Sequence, residues 1–422
     1  MAADAGSAHG GGSDRGPYRV MVVDDSAVVR GMTTRFIEAD SELQVVGSAG
    51  NGQRAIEMLG RCDAEVVVLD VEMPVMDGLT ALPKLLAARP GVQVIMSSTL
   101  TKGNADVTIR AISAGAADYV TKPSNRGLGS EQDFQTEIRT KVKELAAAVR
   151  RSRGGAPASR RQTPAGTTGP ARDTGQRGRE NAGAREPARP QRGGGARAEA
   201  PPRSGAPESR GAAGPAGAGG DVSLRRMPGT PPQVVAIGSS TGGPQALFEV
   251  IGHLGAIKQP ILITQHMPAT FTSLLADHIA RQAAMPCSEA REGERLEDGH
   301  IYVAPGGYHL VAKRDDKGVK LALSDGPAEN FCRPSVDPML RSLVEVYGGR
   351  CLAVILTGMG SDGLKGCETL VNAGGHVLAQ DEASSVVWGM PGAVAKAGLA
   401  SAVLPVTDIA GQLRHITMRS AA

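Results

Sequence analysis

Aromatic residues and cysteines are scarce in this 422-residue chain. It contains 5 Phe, 5 Tyr and 1 Trp beside 56 Gly and 27 Pro, which predicts a segment without a hydrophobic core of its own. The five cysteines are scattered and form no C-x-x-C pair, which argues against a disulfide framework and against a zinc site. No apolar run approaches the roughly 18 residues of a membrane span, and the N-terminus has no signal-peptide core. We therefore expect a soluble, cytoplasmic protein without membrane insertion.

An excess of positive charge is also missing outside one segment. The formal net charge is +3, but residues 151–220 contain 13 Arg and 5 acidic residues, a net +8 that leaves −5 for the rest of the chain. Residues 151–231 are rich in Ala, Gly, Pro and Arg, lack apolar periodicity and contain no Phe, Trp or Tyr, so they are predicted to be a disordered linker. Because the arginines lie in this solvated tether, a nucleic-acid partner is not expected.

Apolar strands alternate with helix-like segments from residue 17 to residue 150. The strand candidates are YRVMVVDD, LQVVGSA, AEVVVLD, VQVIMSS and ADYVTKP. Each is apolar enough to be buried on both faces, which predicts a doubly wound, flavodoxin-like domain with five parallel strands. The segment FQTEIRTKVKELAAAVRR reads as the closing amphipathic helix.

Polar side chains follow four of these strands. Asp24 and Asp25 follow the first, Asp70 the third, Ser97 the fourth and Lys122 the fifth. Since parallel strands end at one edge of the sheet, these groups are expected to converge there, and three close carboxylates fit a hard cation such as Mg²⁺. For any single Asp, a helix cap or a turn residue is the commoner explanation. The combination favours a carboxylate that accepts a phosphoryl group, with the metal and the lysine neutralising charge.

The segments VVDDS, VLDVEMPVMDG, SS and TKP resemble the response-regulator receiver domain. The resemblance implies that Asp70 is the phospho-acceptor. The implied magnesium ligands are Asp24, Asp25, Asp70 and the backbone of Glu72. The implied switch residues are Ser97, Tyr119 and Lys122.

Residues 232–420 return to the alternating pattern and are predicted to form a mostly parallel α/β domain. Its strand candidates are QVVAIG, PILITQH, HIYVAP, KLALS, CLAVILTG, HVLAQ and SAVL. The segment VAKRDDKGVKLAL predicts a β-hairpin on an edge, because a polar turn separates two apolar runs.

The segment GSSTGGP follows the first strand of this domain. It lacks the G-K-[ST] end of a phosphate-binding loop and the G-x-G-x-x-G spacing of a dinucleotide site. Gly238, Ser240 and Gly242 form G-x-S-x-G, the pattern of a strand-to-helix turn that exposes a nucleophilic serine. On the motif alone, a tight loop that merely needs glycines explains the segment equally well.

A serine nucleophile requires a base, and the base requires an orienting carboxylate. Among the histidines of this domain, His266 is the one at a strand end, in ILITQHMP, and Asp362 follows another apolar strand, in LTGMGSDG. Ser240, His266 and Asp362 are therefore predicted on three strand-end loops of one sheet. Their order along the chain differs from that of α/β-hydrolases, which argues against that superfamily.

The segments GSSTGGP, ITQHMP, APGGYHL, RPSVD, ILTGMGSDG and QDEASSVVWGMP resemble the catalytic domain of the CheB family of chemotaxis protein-glutamate methylesterases. The resemblance implies methylesterase and glutamine deamidase activity with Ser240, His266 and Asp362 as the catalytic triad. Thr241, Gly242 and Met359 are implied near the oxyanion. The implied partners are methyl-accepting chemotaxis receptors as substrate and a histidine kinase as phosphodonor. Mg²⁺ is expected in the receiver domain and no cofactor in the esterase domain.

The resemblance also implies that the unphosphorylated receiver covers the esterase site. Two features depart from the family pattern: the linker is long, and Cys332 precedes RPSVD where relatives often carry histidine. Two other functions fit the sequence less well. A DNA-binding output is opposed by the acidic α/β character of the second domain. A catalytically silent adaptor is opposed by the presence of all three triad residues.

Overall fold

The computed structural model describes residues 16–99, 101–123, 131–154, 223–227 and 229–418. Most of the predicted linker, residues 155–222, lies outside the described residues. Within the described ranges, no helix is long and apolar enough to cross a membrane.

The first sheet has five strands in the order β2-β1-β3-β4-β5, and every neighbouring pair is parallel. The strands are β1 (Tyr18–Val23), β2 (Leu43–Ala49), β3 (Val66–Asp70), β4 (Gln93–Ser98) and β5 (Asp118–Thr121). The helices are α1 (Ala27–Glu38), α2 (Gly52–Leu59), α3 (Gly78–Ala88), α4 (Lys102–Ser113) and α5 (Glu131–Gly154). The central strand β3 is buried along its whole length. The predicted doubly wound receiver fold is confirmed, and α5 continues four residues into the range predicted as linker.

Short polar side chains start the helices of this domain. Ser26 accepts a hydrogen bond from the Val29 amide at 3.3 Å, and Asp77 accepts one from the Thr80 amide at 2.7 Å. Each bond satisfies an amide that has no partner within its helix. These caps fix the points where the chain leaves the sheet edge and enters α1 and α3.

The second sheet has seven strands in the order β14-β13-β12-β6-β7-β9-β8, all parallel to their neighbours. The strands are β6 (Val234–Ser239), β7 (Ile261–Gln265), β8 (Cys287–Glu289), β9 (Ile301–Val303), β12 (Cys351–Ile355), β13 (His376–Gln380) and β14 (Ala402–Leu404). The helices are α6 (Gly243–Leu254), α7 (Ala269–Gln282), α8 (Val336–Tyr347), α9 (Leu364–Asn372), α10 (Met390–Lys396) and α11 (Val406–Thr417). The predicted α/β class is confirmed. Strand β8 was not predicted, because three residues are too few to show a pattern.

The predicted hairpin forms from β10 (His309–Asp315) and β11 (Gly318–Ser324). The two strands pair antiparallel in a two-stranded sheet of their own, not as an edge of the main sheet. The polar turn between the strands was therefore correctly recognised. The placement on the main sheet was not, because a turn motif carries no information about which strand lies alongside.

The adjacent strands β6, β7 and β12 place the loops that carry the candidate site. All three are buried along their whole length, as expected for strands covered on both faces. In register, Gly238 of β6 lies beside Ile355 of β12, and Ser239 lies beside Gln265 of β7. The three following loops consequently emerge next to one another at the carboxyl edge of the sheet.

Candidate active site

Ser240 lies in the tight turn between β6 and α6. Its backbone N–H donates to the Thr357 carbonyl at 3.0 Å, and its own carbonyl accepts from the Gly243 amide at 2.7 Å. Gly242 caps α6 in the left-handed region with φ of 75°, and a Cβ there would lie 2.6 Å from the Cβ of Val386. Glycine is therefore required at this position for both conformation and space. The G-x-S-x-G segment forms the predicted strand-to-helix turn.

His266 and Asp362 meet beside this turn. His266 follows β7, and its amide donates to the Ser239 carbonyl at 3.2 Å. Its Nε2 lies 2.7 Å from Oδ2 of Asp362. Gly358, in the loop that carries Asp362, is so close to Ser240 that a Cβ added to it would lie 2.9 Å from the Ser240 Cβ. The structure thus brings the three predicted residues to one site.

The Asp362 carboxylate is buried and accepts several hydrogen bonds besides that of His266. The donors are Asn330 Nδ2 at 2.8 Å, Ser335 Oγ at 2.7 Å, Val336 N at 2.7 Å and Gly363 N at 2.9 Å. Burial alone would raise the pKa of Asp362, but His266 and these donors lower it to about 2. The carboxylate is therefore charged at neutral pH and can hold the imidazole in one orientation.

The second nitrogen of His266 faces a thiol. Nδ1 lies 3.3 Å from Sγ of Cys332, and among the described residues no hydrogen bond joins His266 to the Ser240 hydroxyl. Burial lowers the pKa of His266, but the hydrogen bonds to Asp362 and Cys332 outweigh it and raise the pKa to about 9. In this conformation both imidazole nitrogens have partners, Asp362 at Nε2 and Cys332 at Nδ1.

Sequence reasoning missed several polar side chains that support the site. Gln265 donates from Nε2 to the Ser240 carbonyl at 2.9 Å and accepts from the Ser239 hydroxyl at 2.7 Å. Asp337, at the start of α8, is buried and accepts from Asn330 Nδ2 at 3.0 Å. Its place in RPSVD was the available signal; nothing in the local sequence singled out Asn330.

The carboxylates predicted for the receiver also converge. Asp24, Asp25 and Asp70 each offer an oxygen within 4.8 Å of the others. Lys122 Nζ lies 2.7 Å from both Asp24 and Asp70. Burial raises the pKa of Asp70 to about 6 although Lys122 lowers it. This donor set fits Mg²⁺, which prefers carboxylate oxygens and keeps waters, because Asp25 is open to solvent.

The other receiver residues predicted from the sequence, Ser97, Glu72 and Tyr119, differ from one another in burial and contacts. Ser97 is buried at the end of β4, while the Glu72 side chain is exposed in the loop that follows Asp70. Tyr119 points away from solvent and stacks on Phe271 of α7, with ring centroids 4.4 Å apart. Burial raises the pKa of the Tyr119 phenol well above its usual value. Tyr119 therefore lies between the receiver and the second domain.

The receiver covers the Ser240 turn through direct hydrogen bonds. Oγ1 of Thr241 donates to Oδ2 of Asp118 at 2.5 Å, and the Gly242 amide donates to the Ala117 carbonyl at 3.1 Å. Lys141 holds Asp118 from the other side at 3.1 Å. The predicted oxyanion neighbours Thr241 and Gly242 are consequently bonded to receiver atoms in this conformation.

Helix α6 and the 357–388 region add further contacts with the receiver. Gln245 donates from Nε2 to the Ile112 carbonyl at 2.9 Å and to the Ala116 carbonyl at 2.6 Å. Met359 packs with neighbouring valines against the apolar cluster that contains Phe134 of α5. Both sheets belong to one compact unit of the chain. The contacts that close the site were beyond sequence reasoning, because they join residues more than 100 positions apart.

Both domains match models of known protein families. The receiver matches the response regulator receiver domain model over residues 20–129, and the second domain matches the CheB methylesterase model over residues 235–413. A relative from Rhodospirillum centenum, named protein-glutamate methylesterase/protein-glutamine glutaminase of group 2 operon, is 52% identical over 415 residues, covering 98% of this chain and 96% of the relative. A relative from Azospirillum brasilense, named protein-glutamate methylesterase/protein-glutamine glutaminase, is 50% identical over 408 residues, covering 96% of this chain and 94% of its own.

Among solved structures, the catalytic domain of Thermotoga maritima CheB methylesterase is 40% identical, with a TM-score of 0.43, and the match covers 44% of this chain and 98% of that one. The two full-length relatives span both domains and the segment between them. The family expected from the sequence motifs is therefore confirmed. The chain belongs to the CheB methylesterase family of response-regulator enzymes.

Proposed function

We propose that this protein removes methyl esters from glutamates, and deamidates glutamines, on methyl-accepting chemotaxis receptors, under the control of phosphorylation of its receiver. The observation that carries the proposal is the His266–Asp362 pair at 2.7 Å beside the Ser240 turn. A buried, charged carboxylate bound to one imidazole nitrogen leaves the other nitrogen as the base, which is the arrangement that a serine nucleophile requires.

In the proposed acylation, Oγ of Ser240 attacks the γ-carbonyl carbon of the glutamate ester. Nδ1 of His266 takes the hydroxyl proton and returns it to the departing methoxide, so that methanol leaves and an acyl-enzyme remains. Nε2 stays bonded to Asp362 throughout, which stabilises the imidazolium. Because Cys332 lies on Nδ1 in the described conformation, the serine hydroxyl must replace the thiol there before attack.

In the proposed deacylation, a water molecule gives its proton to Nδ1 of His266 and attacks the acyl carbon. The imidazolium then protonates the departing Ser240 oxygen, and a free glutamate side chain is released. With glutamine in place of the ester, the first leaving group is ammonia, and the same second step completes a deamidation.

The oxyanion of each tetrahedral intermediate needs hydrogen-bond donors. The Gly242 amide and the Thr241 hydroxyl lie at the start of α6, where free N–H groups and the helix dipole favour negative charge. One such donor contributes about 3–4 kcal/mol to the transition state in comparable sites. Both donors are bonded to receiver atoms here, so the oxyanion site becomes available only when the receiver moves away.

We propose Asp70 as the phospho-acceptor, with a histidine kinase as the phosphodonor. Asp24, Asp25 and Asp70 would hold Mg²⁺ together with the Glu72 carbonyl, and the ion would neutralise phosphoryl oxygens. Lys122, which bridges Asp24 and Asp70, must exchange a carboxylate for the phosphoryl group when it arrives. We expect Ser97, buried at the end of the neighbouring strand β4, to move with that change.

The contacts between the receiver and the esterase domain would link phosphorylation to access to the Ser240 turn. Tyr119 and Asp118 belong to β5, the strand that leads to Lys122, and both contact the esterase domain. A rearrangement at Lys122 and β5 therefore disturbs the atoms that cover Thr241 and Gly242. Phosphorylation would shift the equilibrium from the covered to the open arrangement.

The test is methanol release from a methylated receptor cytoplasmic fragment, with and without acetyl phosphate and Mg²⁺. Wild type, Ser240→Ala and Asp70→Asn are compared, with Ser361→Ala as a matched control because Ser361 is an exposed serine in the loop that carries Asp362. Release that requires Ser240 and rises on phosphorylation only when Asp70 is present supports the proposal. Release that survives Ser240→Ala, or an increase that survives Asp70→Asn, would contradict it.

A further inference from the structure

Residues 329–332 form a tight turn at the edge of the candidate site. Glu329 and Cys332 exchange two backbone hydrogen bonds, at 3.1 and 2.9 Å, so that Asn330 and Phe331 are the two turn residues. Both turn residues have positive φ, 53° for Asn330 and 63° for Phe331. Two-residue hairpin turns of this kind favour Asn followed by Gly.

Phe331 is therefore an unusual residue at its position. Asn tolerates the left-handed conformation, but a bulky aromatic residue rarely adopts it. The Phe331 side chain is fully exposed, with a relative accessibility of 103%, so it gains no packing within the fold that would offset the backbone conformation. A strained residue that stabilises nothing in the protein is a candidate for a role with a partner.

The turn is attached to the triad at both of its inner positions. Asn330 donates to Oδ1 of Asp362 at 2.8 Å, and Cys332 lies 3.3 Å from Nδ1 of His266. Phe331 lies between these two residues and projects to solvent at the rim of the site. The neighbouring loop is tied to the same region by the Gly307 amide, which donates to the Arg333 carbonyl at 3.0 Å.

Within the part of the chain that the structure describes, the receiver does not cover this rim. The described contacts with the esterase lie on the Ser240 turn, α6, α7 and the 357–388 region, whereas Phe331 is fully exposed with the receiver docked. Tyr308, the residue after Gly307, is also exposed at 45%. The aromatic rim is thus available to a partner even when the oxyanion donors are bonded to the receiver.

We propose that Phe331 is a specificity-determining residue that packs on the apolar side chains of the receptor helix next to the modified glutamate. This inference rests on the proposed function, which supplies a helical substrate. On a helix, residues three and four positions from the glutamate lie on the same face, within reach of a side chain at the rim when the ester enters the site. Exposed aromatic residues are the usual anchors of such protein contacts.

The proposal is tested by comparing two substrates, the methylated receptor fragment and a small blocked glutamate γ-methyl ester that has no helix. Phe331→Gly should lower kcat/KM on the receptor fragment about tenfold, mainly through KM, and leave the small ester unchanged. Its Tm should not fall, because glycine adopts positive φ without strain. Phe331→Leu should retain part of the receptor activity.

Val75→Gly is the matched control, since Val75 is an exposed apolar residue at φ of 70° in the receiver. It should leave the ratio of the two activities as in wild type. Binding is measured separately in the Ser240→Ala background, where adding Phe331→Gly should weaken affinity for the receptor fragment by a similar factor. An unchanged substrate ratio and unchanged affinity, or equal losses on both substrates, would overturn the proposal. Failure of the proposed function shows instead as small-ester hydrolysis that is insensitive to Ser240→Ala.

Discussion

Gln245 offers the sharpest test of how the receiver is held over the site. Its side-chain amide donates to the Ile112 and Ala116 carbonyls at 2.9 and 2.6 Å, the first in the last turn of α4 and the second in the loop that follows α4 in the receiver. Among the described residues its side chain has no hydrogen bond to Ser240, His266 or Asp362, so its truncation should change the docking of the receiver and leave these groups in place. We predict that Gln245→Ala raises the activity of the unphosphorylated protein.

The size of the effect follows from the two bonds. Each contributes about 0.5–1.5 kcal/mol net, and the carbonyls of Ile112 and Ala116 would be left without this donor in the covered arrangement but solvated in the open one. The covered arrangement should therefore lose about 1–3 kcal/mol, which is about 5- to 150-fold in the equilibrium between the two. Activity before phosphorylation should rise by the same factor until it reaches the phosphorylated level.

The assay is methanol release with and without acetyl phosphate. Gln259→Ala is the matched control, because Gln259 Nε2 also donates to two carbonyls, those of Pro232 and Thr417, at 3.2 Å within the esterase domain alone. The control should lower stability without raising the activity of the unphosphorylated protein. The reasoning is refuted if Gln245→Ala leaves unphosphorylated activity unchanged, or if Gln259→Ala raises it equally.

Two further predictions concern the base and the backbone. His266 with a pKa of about 9 is protonated at neutral pH, so kcat/KM of the unphosphorylated protein should rise about tenfold per pH unit up to about pH 9, and Cys332→Ala should move this limb to lower pH because Cys332 raises that pKa. A pH–rate profile that is flat from about pH 6 to about pH 9, the range in which His266 is expected to lose its proton, would contradict this. Gly306→Ala should lower Tm because its Cβ would overlap the Ala269 backbone, whereas Gly252→Ala on α6, whose Cβ would lie at a normal contact distance of 3.8 Å from Gln282 Oε1, should stabilise by about 0.5–1 kcal/mol. Thermal unfolding of both variants checks this, and equal Tm values would count against it.

The predictions that depend on neighbours along the chain were the successful ones. Burial of whole strands and the alternation with helices predicted both parallel sheets, since a parallel strand covered on two faces must be apolar throughout. The positions of Ser240, His266 and Asp362 followed from the same argument, because the ends of adjacent parallel strands share one edge. The receiver carboxylates were brought together for the same reason.

Contacts across loops could not be predicted in this way. The strand β8 and the separate sheet of the hairpin depend on which surfaces pack together, and a three-residue strand has no periodicity to read. Asn330 and Cys332 reach Asp362 and His266 only because a turn with two positive φ angles folds back over the site. That turn contains no glycine, the residue that usually marks such a conformation, so the sequence did not predict it.

Local apolar patterns and short motifs were thus enough to predict the family, the two sheets and the residues at their carboxyl edges. Three features came only from the folded structure: Cys332 lies on Nδ1 of His266, Asp118 and Ala117 bind Thr241 and Gly242, and Phe331 is exposed at the rim. These features join residues distant in the chain or depend on accessibility, and both are set by how complete surfaces pack rather than by any local pattern.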